Sequence, residues 1–320
     1  MKAMAQTSWK QGEPLVLTDL PTPAPKPDEI VVDVKSVGVN PVDWKMRTMG
    51  PLRMAARLIG PPLPFVTGVD FAGVVTATGA RVKTVNVGDA VVGGTNFARG
   101  QRGSYADTVV VRTDQVCVLP PGFDIVVAGA LPVAGVTAWM SLVELGHLHK
   151  GQKALILGAS GGVGQFAVQI AKNVREAFVV GVCSHKNVEL VSGLGADVVI
   201  DYSKGDALEQ ARAHGPFQVV VDCVGGYSGF ACRSLLARGG RHIIVAGDTP
   251  AAMLQVLVPP FSSKTVLGQS TTQRLGYVVD AVAKGQVKVN VVERFALADA
   301  EKAHQLSQVG RSVGKIVIVP

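Results

Sequence analysis

Residues 154 to 172 read ALILGASGGVGQFAVQIAK, an apolar stretch of strand character running into a glycine-rich turn and then an amphipathic helical stretch. Glycine tolerates positive φ and lets the backbone come close to a phosphate. The first N–H groups of a helix opening near Gly162, Val163 and Gly164 lack intrahelical partners, and they sit at the positive end of its dipole. A turn built this way cradles a dinucleotide diphosphate, with Ser160, Gly161, Gly162 and Val163 as the expected contacts. Gln165 stands where a kinase-type phosphate loop carries lysine, which disfavours ATP chemistry.

Ribose selectivity is set about 20 residues further on, where an Asp or Glu grips the 2′-hydroxyl of NAD. Here the segment is Val182, Cys183, Ser184, His185, Lys186, Asn187, with Glu189 as the next carboxylate. Ser184 can donate a hydrogen bond and Lys186 a charge-assisted one to a 2′-phosphate, so the expected cofactor is NADPH. Lys186 as a plain solvated lysine is the alternative. Tyr202 either covers the same phosphate or packs. Cys223, with Val224, falls near the same edge, and Cys223 equally suits a small buried hydrophobe. Gly247 and Asp248 follow a strand ending at Ala246 and are expected on that edge, unless Asp248 only caps the next segment.

Such a turn needs strands and helices to hold it. Strand character at 154–157, 178–182, 198–200, 219–222 and 242–245 alternates with helical stretches at 163–174, 188–194, 207–213 and 229–236, which predicts a doubly wound parallel sheet over residues 123–284. Residues 1–122 read instead as short strands broken by turns, at 30–37, 73–78, 90–92 and 105–111. Strands at 291–295 and 315–319 flank a helix at 298–308, and the last strand is expected to return, with 285–320, to the first module. Prolines 21, 23, 25 and 27 read as a stiff connector.

The 320 residues, 48% hydrophobic and 17% charged, exclude a disordered chain. A net charge of +7 is spread along the sequence with no basic run interleaved with aromatics, so an anionic cofactor accounts for it better than nucleic acid. Cys117, Cys183, Cys223 and Cys232 form no CxxC pair, which supports neither a zinc cluster nor a disulfide framework. With no signal-peptide pattern and no long apolar run, a cytoplasmic location is expected.

Together with the glycine-rich turn, the segments GVNPVDWK (38–45), GVDFAG (68–73), VGDAVVG (87–93), GSYADTVVV (103–111), LPVAGVTAW (131–139), GLGADVVIDY (193–202), VVDCVGG (220–226) and GKIVI (314–318) resemble the medium-chain dehydrogenase/reductase superfamily, in its zinc-free quinone-oxidoreductase-like branch. The resemblance runs end to end. It implies an α/β protein in which a GroES-like β-rich catalytic domain, made from both chain ends, encloses a Rossmann domain with the active site in the cleft between them. It also implies homodimers and hydride transfer from NADPH to a quinone or to the β-carbon of an α,β-unsaturated carbonyl. Zinc-dependent relatives place Cys where Asn40 stands, His near Asp70, and a four-cysteine loop around 99–103. Those ligands are missing here, so no metal is expected.

Hydride addition to an enone builds negative charge on the carbonyl oxygen, and without a metal positioned donors must stabilise it. Asn40, Asp43 and Lys45 offer an amide, a carboxylate and an ammonium within six residues. The resemblance places the Asn beside the nicotinamide, gives the Asp an organising role, and puts Lys45 where some relatives carry Tyr. Lys45 is therefore a candidate to polarise the carbonyl or protonate the α-carbon; it equally suits a lysine paired with Asp43 or solvated. The resemblance places the Thr137 hydroxyl at the nicotinamide, and a threonine bonded to its own backbone is the alternative. The histidines, in no HxH or HxxxH pattern, are assigned no chemistry.

Between Trp44 and Phe65, a predicted short helix carries Leu52, Ala55, Ala56 and Ile59 on one face and Arg53 and Arg57 on another. It reads as a flap over the substrate, as a plain surface helix, or as a weak peripheral membrane contact. The expected activity is enone reduction. Quinone reduction, a reductive cyclisation through the same enolate, and a non-catalytic NADPH-binding protein are the alternatives.

Overall fold

Glu29–Val39, EIVVDVKSVGV, is the longest strand among the described residues, and its β-branched residues suit a pleated surface packed on both faces. The computed structural model describes residues 1–10, 12–48, 50–245, 254–259, 262–266, 268–310 and 312–320. They divide into two units. One comprises Met1–Val136, Gln269–Ala283 and Val289–Pro320, the other Thr137–Gly268 and Lys284–Lys288.

In the first unit, in chain order, lie β1 (Lys2–Gln6), β2 (Val16–Asp19), β3 (Glu29–Val39), α1 (Pro41–Thr48), α2 (Gly50–Ile59), β4 (Phe65–Val66), β5 (Asp70–Thr78), β6 (Ala90–Gly94), β7 (Thr108–Arg112), β8 (Val116–Val118) and α3 (Ile125–Ala128). The helix α4 (Pro132–Trp139) runs across the dividing point. The second unit holds β9 (Lys153–Leu157), α5 (Gly162–Gln169), β10 (Phe178–Cys183), α6 (Val188–Gly193), β11 (Val198–Asp201), α7 (Ala207–Arg212), β12 (Phe217–Asp222), α8 (Gly229–Arg233), β13 (Leu236–Ile244) and β14 (Ser263–Thr265). The helix Thr272–Ala283, β15 (Val291–Ala296), the helix Ala300–Gln308 and β16 (Lys315–Val319) return to the first unit.

The first unit pairs β15-β16-β3-β5-β6-β8 in one sheet, with β7 also on β3, and β2-β1-β4 in another. Its core gathers Ile30, Val32, Phe71, Val91, Tyr105 and Ile318. The late strand β16 lies antiparallel to β3, Ile316 opposite Val39, so the C-terminal segment joins the N-terminal module. The second unit has the strand order β11-β10-β9-β12-β13-β14, every neighbouring pair parallel. That is the doubly wound order 3-2-1-4-5-6, whose direction reverses between β9 and β12.

Several elements differ from the sequence expectation. Packing assigns 123–136 and the unpredicted helix Thr272–Ala283 to the first unit, because α3 rests on β3 and β5 and that helix rests on β8 and β6. The helix expected to reach Leu236 ends at Arg233, since Leu236 opens β13 opposite Phe217. The strand expected over 105–111 covers Thr108–Arg112, and α1 occupies a stretch read for its chemistry alone.

Leu155 lies fully buried in β9, between β10 and β12. Leu155→Ala is expected to cost about 2–5 kcal/mol. The measurement is a urea unfolding curve, whose midpoint falls while its slope stays unchanged.

Candidate functional site

Parallel strands deliver their carboxyl ends, and the loops that follow them, to a single edge of the second sheet. After β9 the backbone turns at Gly158, with φ +77°, while the N–H groups of Gly158 and Ala159 bond Val182 O at 3.1 and 2.9 Å. Gly161 caps α5 with no side-chain bond, and the first backbone bond inside the helix is Gln165 N to Gly161 O at 3.0 Å. The N–H groups of Gly162, Val163 and Gly164 are thus the uncommitted donors of a helix start. A Cβ at Gly164 would stand 2.2 Å from Gly158 O, so only glycine allows the helix to begin this close to the strand.

The same edge collects the loop after β10. Asn187 Nδ2 donates to Ser160 Oγ at 3.1 Å and to Ser184 Oγ at 3.2 Å, tying the glycine-rich turn to the ribose-selecting segment. Each serine oxygen accepts from Asn187 and keeps its own hydrogen to donate. Lys186 is exposed beside them. Pairing of β10 with β11 brings a carboxylate that the sequence count missed, because Asp201 lies in register with Cys183. Its oxygens are occupied by His185 Nδ1 at 3.0 Å and by the N–H and hydroxyl of Ser203.

Tyr202 follows Asp201 and is 53% exposed at this edge. Cys223 is half-buried after β12, and burial pushes its thiol well above the usual range, which keeps it protonated. Val224 is exposed beside it. Their loop is shaped by Asp222, unnoticed in the sequence, whose Oδ1 accepts from the N–H groups of Val224 and Gly225 at 2.9 Å each. Thr137 is buried in α4. Gly247 and Asp248 lie outside the described residues. The uncommitted N–H groups, the glycine contact at Gly164 and the two serine hydroxyls fit a pyridine dinucleotide.

A second constellation lies inside the first unit. Asn40, Pro41 and Asp43 start α1 as N-cap, N1 and N3, and Asp43 Oδ2 accepts from the Asn40 N–H at 2.8 Å, the reverse arm of a capping box. Asp43 Oδ1 accepts from Val69 N at 3.1 Å, and Tyr105 Oη donates to Oδ2 at 3.3 Å. Asp43 is fully buried with both oxygens hydrogen-bonded, and through the Asn40 N–H it holds the start of α1.

Asn40 does not cap with its side chain. Its Nδ2 donates to Asp70 Oδ2 at 2.8 Å, and its Oδ1 accepts from Lys315 Nζ at 2.6 Å. The lysine that meets Asn40 is therefore Lys315. Lys45 is half-buried on α1, with Nζ 5.7 Å from the centroid of the Trp44 ring. Asp70 also accepts from Val133 N at 2.8 Å. Lys315 Nζ also lies 3.9 Å from Asp70 Oδ2, and breaking a buried charge pair by removing one partner costs roughly 3–5 kcal/mol.

From Asp43 the network runs on to the surface. His304 Nε2 meets Tyr105 Oη at 3.0 Å, and its Nδ1 meets Arg47 Nη1 at 2.9 Å. Arginine only donates, so Nδ1 accepts and Nε2 carries the hydrogen that points to Tyr105. Arg47 also pairs with Glu301 at 3.0 Å. The sequence reading missed Arg47, Asp70, Tyr105, His304 and Lys315. A signal existed in Asp70 and Lys315, single charges set in the apolar runs VDFAG and KIVIV, where a charge must find a partner to be buried.

Sequence profiles described as an alcohol dehydrogenase GroES-like domain and as a zinc-binding dehydrogenase match residues 26–121 and 194–318. The chain is 31% identical to a chloroplast envelope quinone oxidoreductase homologue of Arabidopsis thaliana, over 100% of this chain and 98% of that protein. It is 31% identical to a trans-enoyl reductase of Aspergillus terreus, over 91% of this chain and 86% of that one. The solved structure of the quinone oxidoreductase from Coxiella burnetii superposes with a TM-score of 0.90 at 28% identity, covering 100% of this chain and 99% of the other.

A GroES-like β unit combined with a doubly wound nucleotide-binding unit defines a nicotinamide-dependent oxidoreductase. The chain belongs to the medium-chain dehydrogenase/reductase superfamily and is quinone-oxidoreductase-like.

The zinc named by one profile does not suit the residues at Asn40. Its amide oxygen is held by an ammonium, which also stands 3.9 Å from Asp70. Among the described residues no three His, Cys, Asp or Glu side chains gather into a metal-holding group. Nor, among them, is any helix long and apolar enough to cross a membrane.

Burial, and then the charge of Asp70, push Asp43 up to about 8; burial pushes Asp70 up to about 6 against the pull of Lys315. Both exceed the ordinary 3.8, so the folded chain keeps protons that the unfolded chain releases, and stability declines as pH rises from about 4 to about 8. Burial and the neighbouring arginines push His304 down to about 3 and His242 to about 4, so these groups cost stability as pH falls below about 6.5. Of these four groups only Asp43 still titrates between about pH 6.5 and 8. Thermal unfolding over that window is expected to show a decline in Tm that Asp43→Asn flattens. An unchanged slope in the variant contradicts the assignment.

Proposed function

We propose that this chain transfers hydride from NADPH to the β-carbon of an α,β-unsaturated carbonyl without a metal. The observation that carries the choice of NADPH is the Ser160–Asn187–Ser184 arrangement beside exposed Lys186, with the neighbouring Asp201 already occupied by His185 and Ser203. Two hydroxyls that keep a hydrogen to donate, together with an ammonium, suit a phosphate on the ribose. The donor set around Asn40, closed by an ammonium, supports the metal-free part.

Bound at the edge after β9, the reduced nicotinamide would supply the hydride. The turn N–H groups of Gly162, Val163 and Gly164 bind the diphosphate, while Ser184 and Lys186 orient the adenosine end. In this proposal Lys45 stabilises the negative charge that develops on the carbonyl oxygen and returns a proton at the α-carbon. The trans-enoyl reductase relative supports the enone as acceptor. Relatives named as quinone oxidoreductases support a quinone as the second reading, through the same nucleotide edge. A cytoplasmic homodimer belongs to the same proposal; the exposed apolar side chains Phe230, Leu254 and Leu257 of the second unit support self-association.

Oxidation of NADPH followed optically against enones, alkenals and quinones tests the acceptor, and turnover of quinones alone would refute the enone. Lys186→Glu is expected to lower kcat/KM for NADPH roughly tenfold or more while sparing NADH. Comparable kcat/KM for the two nucleotides in the wild type would contradict the cofactor assignment. Lys45→Ala is expected to reduce kcat about 10²–10³-fold, and undiminished turnover would remove Lys45 from the mechanism.

A further inference from the structure

Three strands bring one polar residue each to the same buried point. β3 leads directly into Asn40, β5 begins at Asp70 and β16 begins at Lys315. The Lys315 ammonium has hydrogens only to give. It gives them to Asn40 Oδ1 at 2.6 Å and Val39 O at 3.3 Å, and it lies 3.9 Å from Asp70 Oδ2. Asp70, when ionised, only accepts, and it takes the Asn40 amide hydrogen at 2.8 Å. An asparagine amide has one donating and one accepting end. Two opposite charges on its two sides therefore permit a single orientation.

We propose that Lys315 is a positioning residue for the oxidoreductase reaction, fixing the Asn40 amide and holding Asp70 ionised so that the start of α1, which carries Lys45, keeps one conformation through turnover. The proposal rests on the reading that the segment from Asn40 to Lys45 serves the reaction. It does not require Lys315 to touch substrate, and at 5% exposure it acts through Asn40. If the ammonium is removed, a neutral Asp70 becomes a donor, and the amide gains reason to turn over. The other charged or titratable groups in the network are Asp43, which accepts from the Asn40 N–H, then Tyr105, His304, Arg47 and Glu301 beyond it. Asp43 is the one among them in direct contact with Asn40.

The test follows the Asn40 side-chain amide by NMR in the full chain, selectively labelled at asparagine, and measures kcat and KM with NADPH and 1,4-benzoquinone. In the wild type the amide signal is expected to titrate with Asp70 near pH 6. In Lys315→Met the midpoint moves up by roughly 1–3 pH units. The kcat of this variant falls up to about 10²-fold while KM for NADPH holds, and Lys315→Arg recovers part of the loss. An amide titration in Lys315→Met that overlays the wild type overturns the proposal, as does a shifted titration with unchanged kcat. Should Lys315→Met fail to fold, the double variant Asp70→Asn with Lys315→Met removes both charges. It is expected to fold with lowered kcat and no Asp70-linked titration, and wild-type kcat in it overturns the proposal. If the wild type turns over neither quinone nor enone, the functional reading fails, while the amide titration still decides whether Lys315 sets Asn40.

Discussion

Two acids and an ammonium buried in a β core impose a pairing constraint on everything around them. Polar and charged groups removed from water must be met by opposite charge or by converging hydrogen bonds, or folding becomes too costly. Asp43 meets this requirement through two backbone N–H groups and a tyrosine, and Asp70 through an amide, a backbone N–H and Lys315. The helix start at Asn40, the entry to β5 and the position of β16 all follow from those bonds. Polar residues here act as joints, and the hydrophobic core fills the space between them.

The second unit solves a different problem by different means. It exposes backbone donors deliberately, at a helix that begins with glycine and without a side-chain cap. Parallel pairing then brings the loops after four strands to the same edge, so selectivity is built from short segments distant in sequence. Asn187 joins two of them with the two hydrogens of one amide. The cost of leaving N–H groups uncommitted is met when an anion arrives, which is why such a turn serves binding better than stability.

How much of this was legible depended on the range of the interaction. The glycine-rich turn and its helix were readable because their pattern is local, from Gly158 to Gly164, and the last strand was readable as a strand from its apolar run. Helix α1 was not expected, although Asn40, Pro41 and Asp43 carry a helix-start signature. Lys315 and Asn40 lie 275 residues apart, and His304 and Tyr105 199 apart, so no local pattern could pair them. Asp201 was missed for a related reason: strand register, not spacing along the chain, places it beside Cys183.

The wide separation of Asn40 from Lys315 also orders events during synthesis. A nascent polypeptide that has emerged from the ribosome as far as Ala300 already contains β3, β5 and α1, yet it has no ammonium to set against Asp70. Until β16 arrives, Asp70 has only the Asn40 amide and the Val133 N–H to meet it and no opposite charge, and the sheet lacks the strand that pairs with β3.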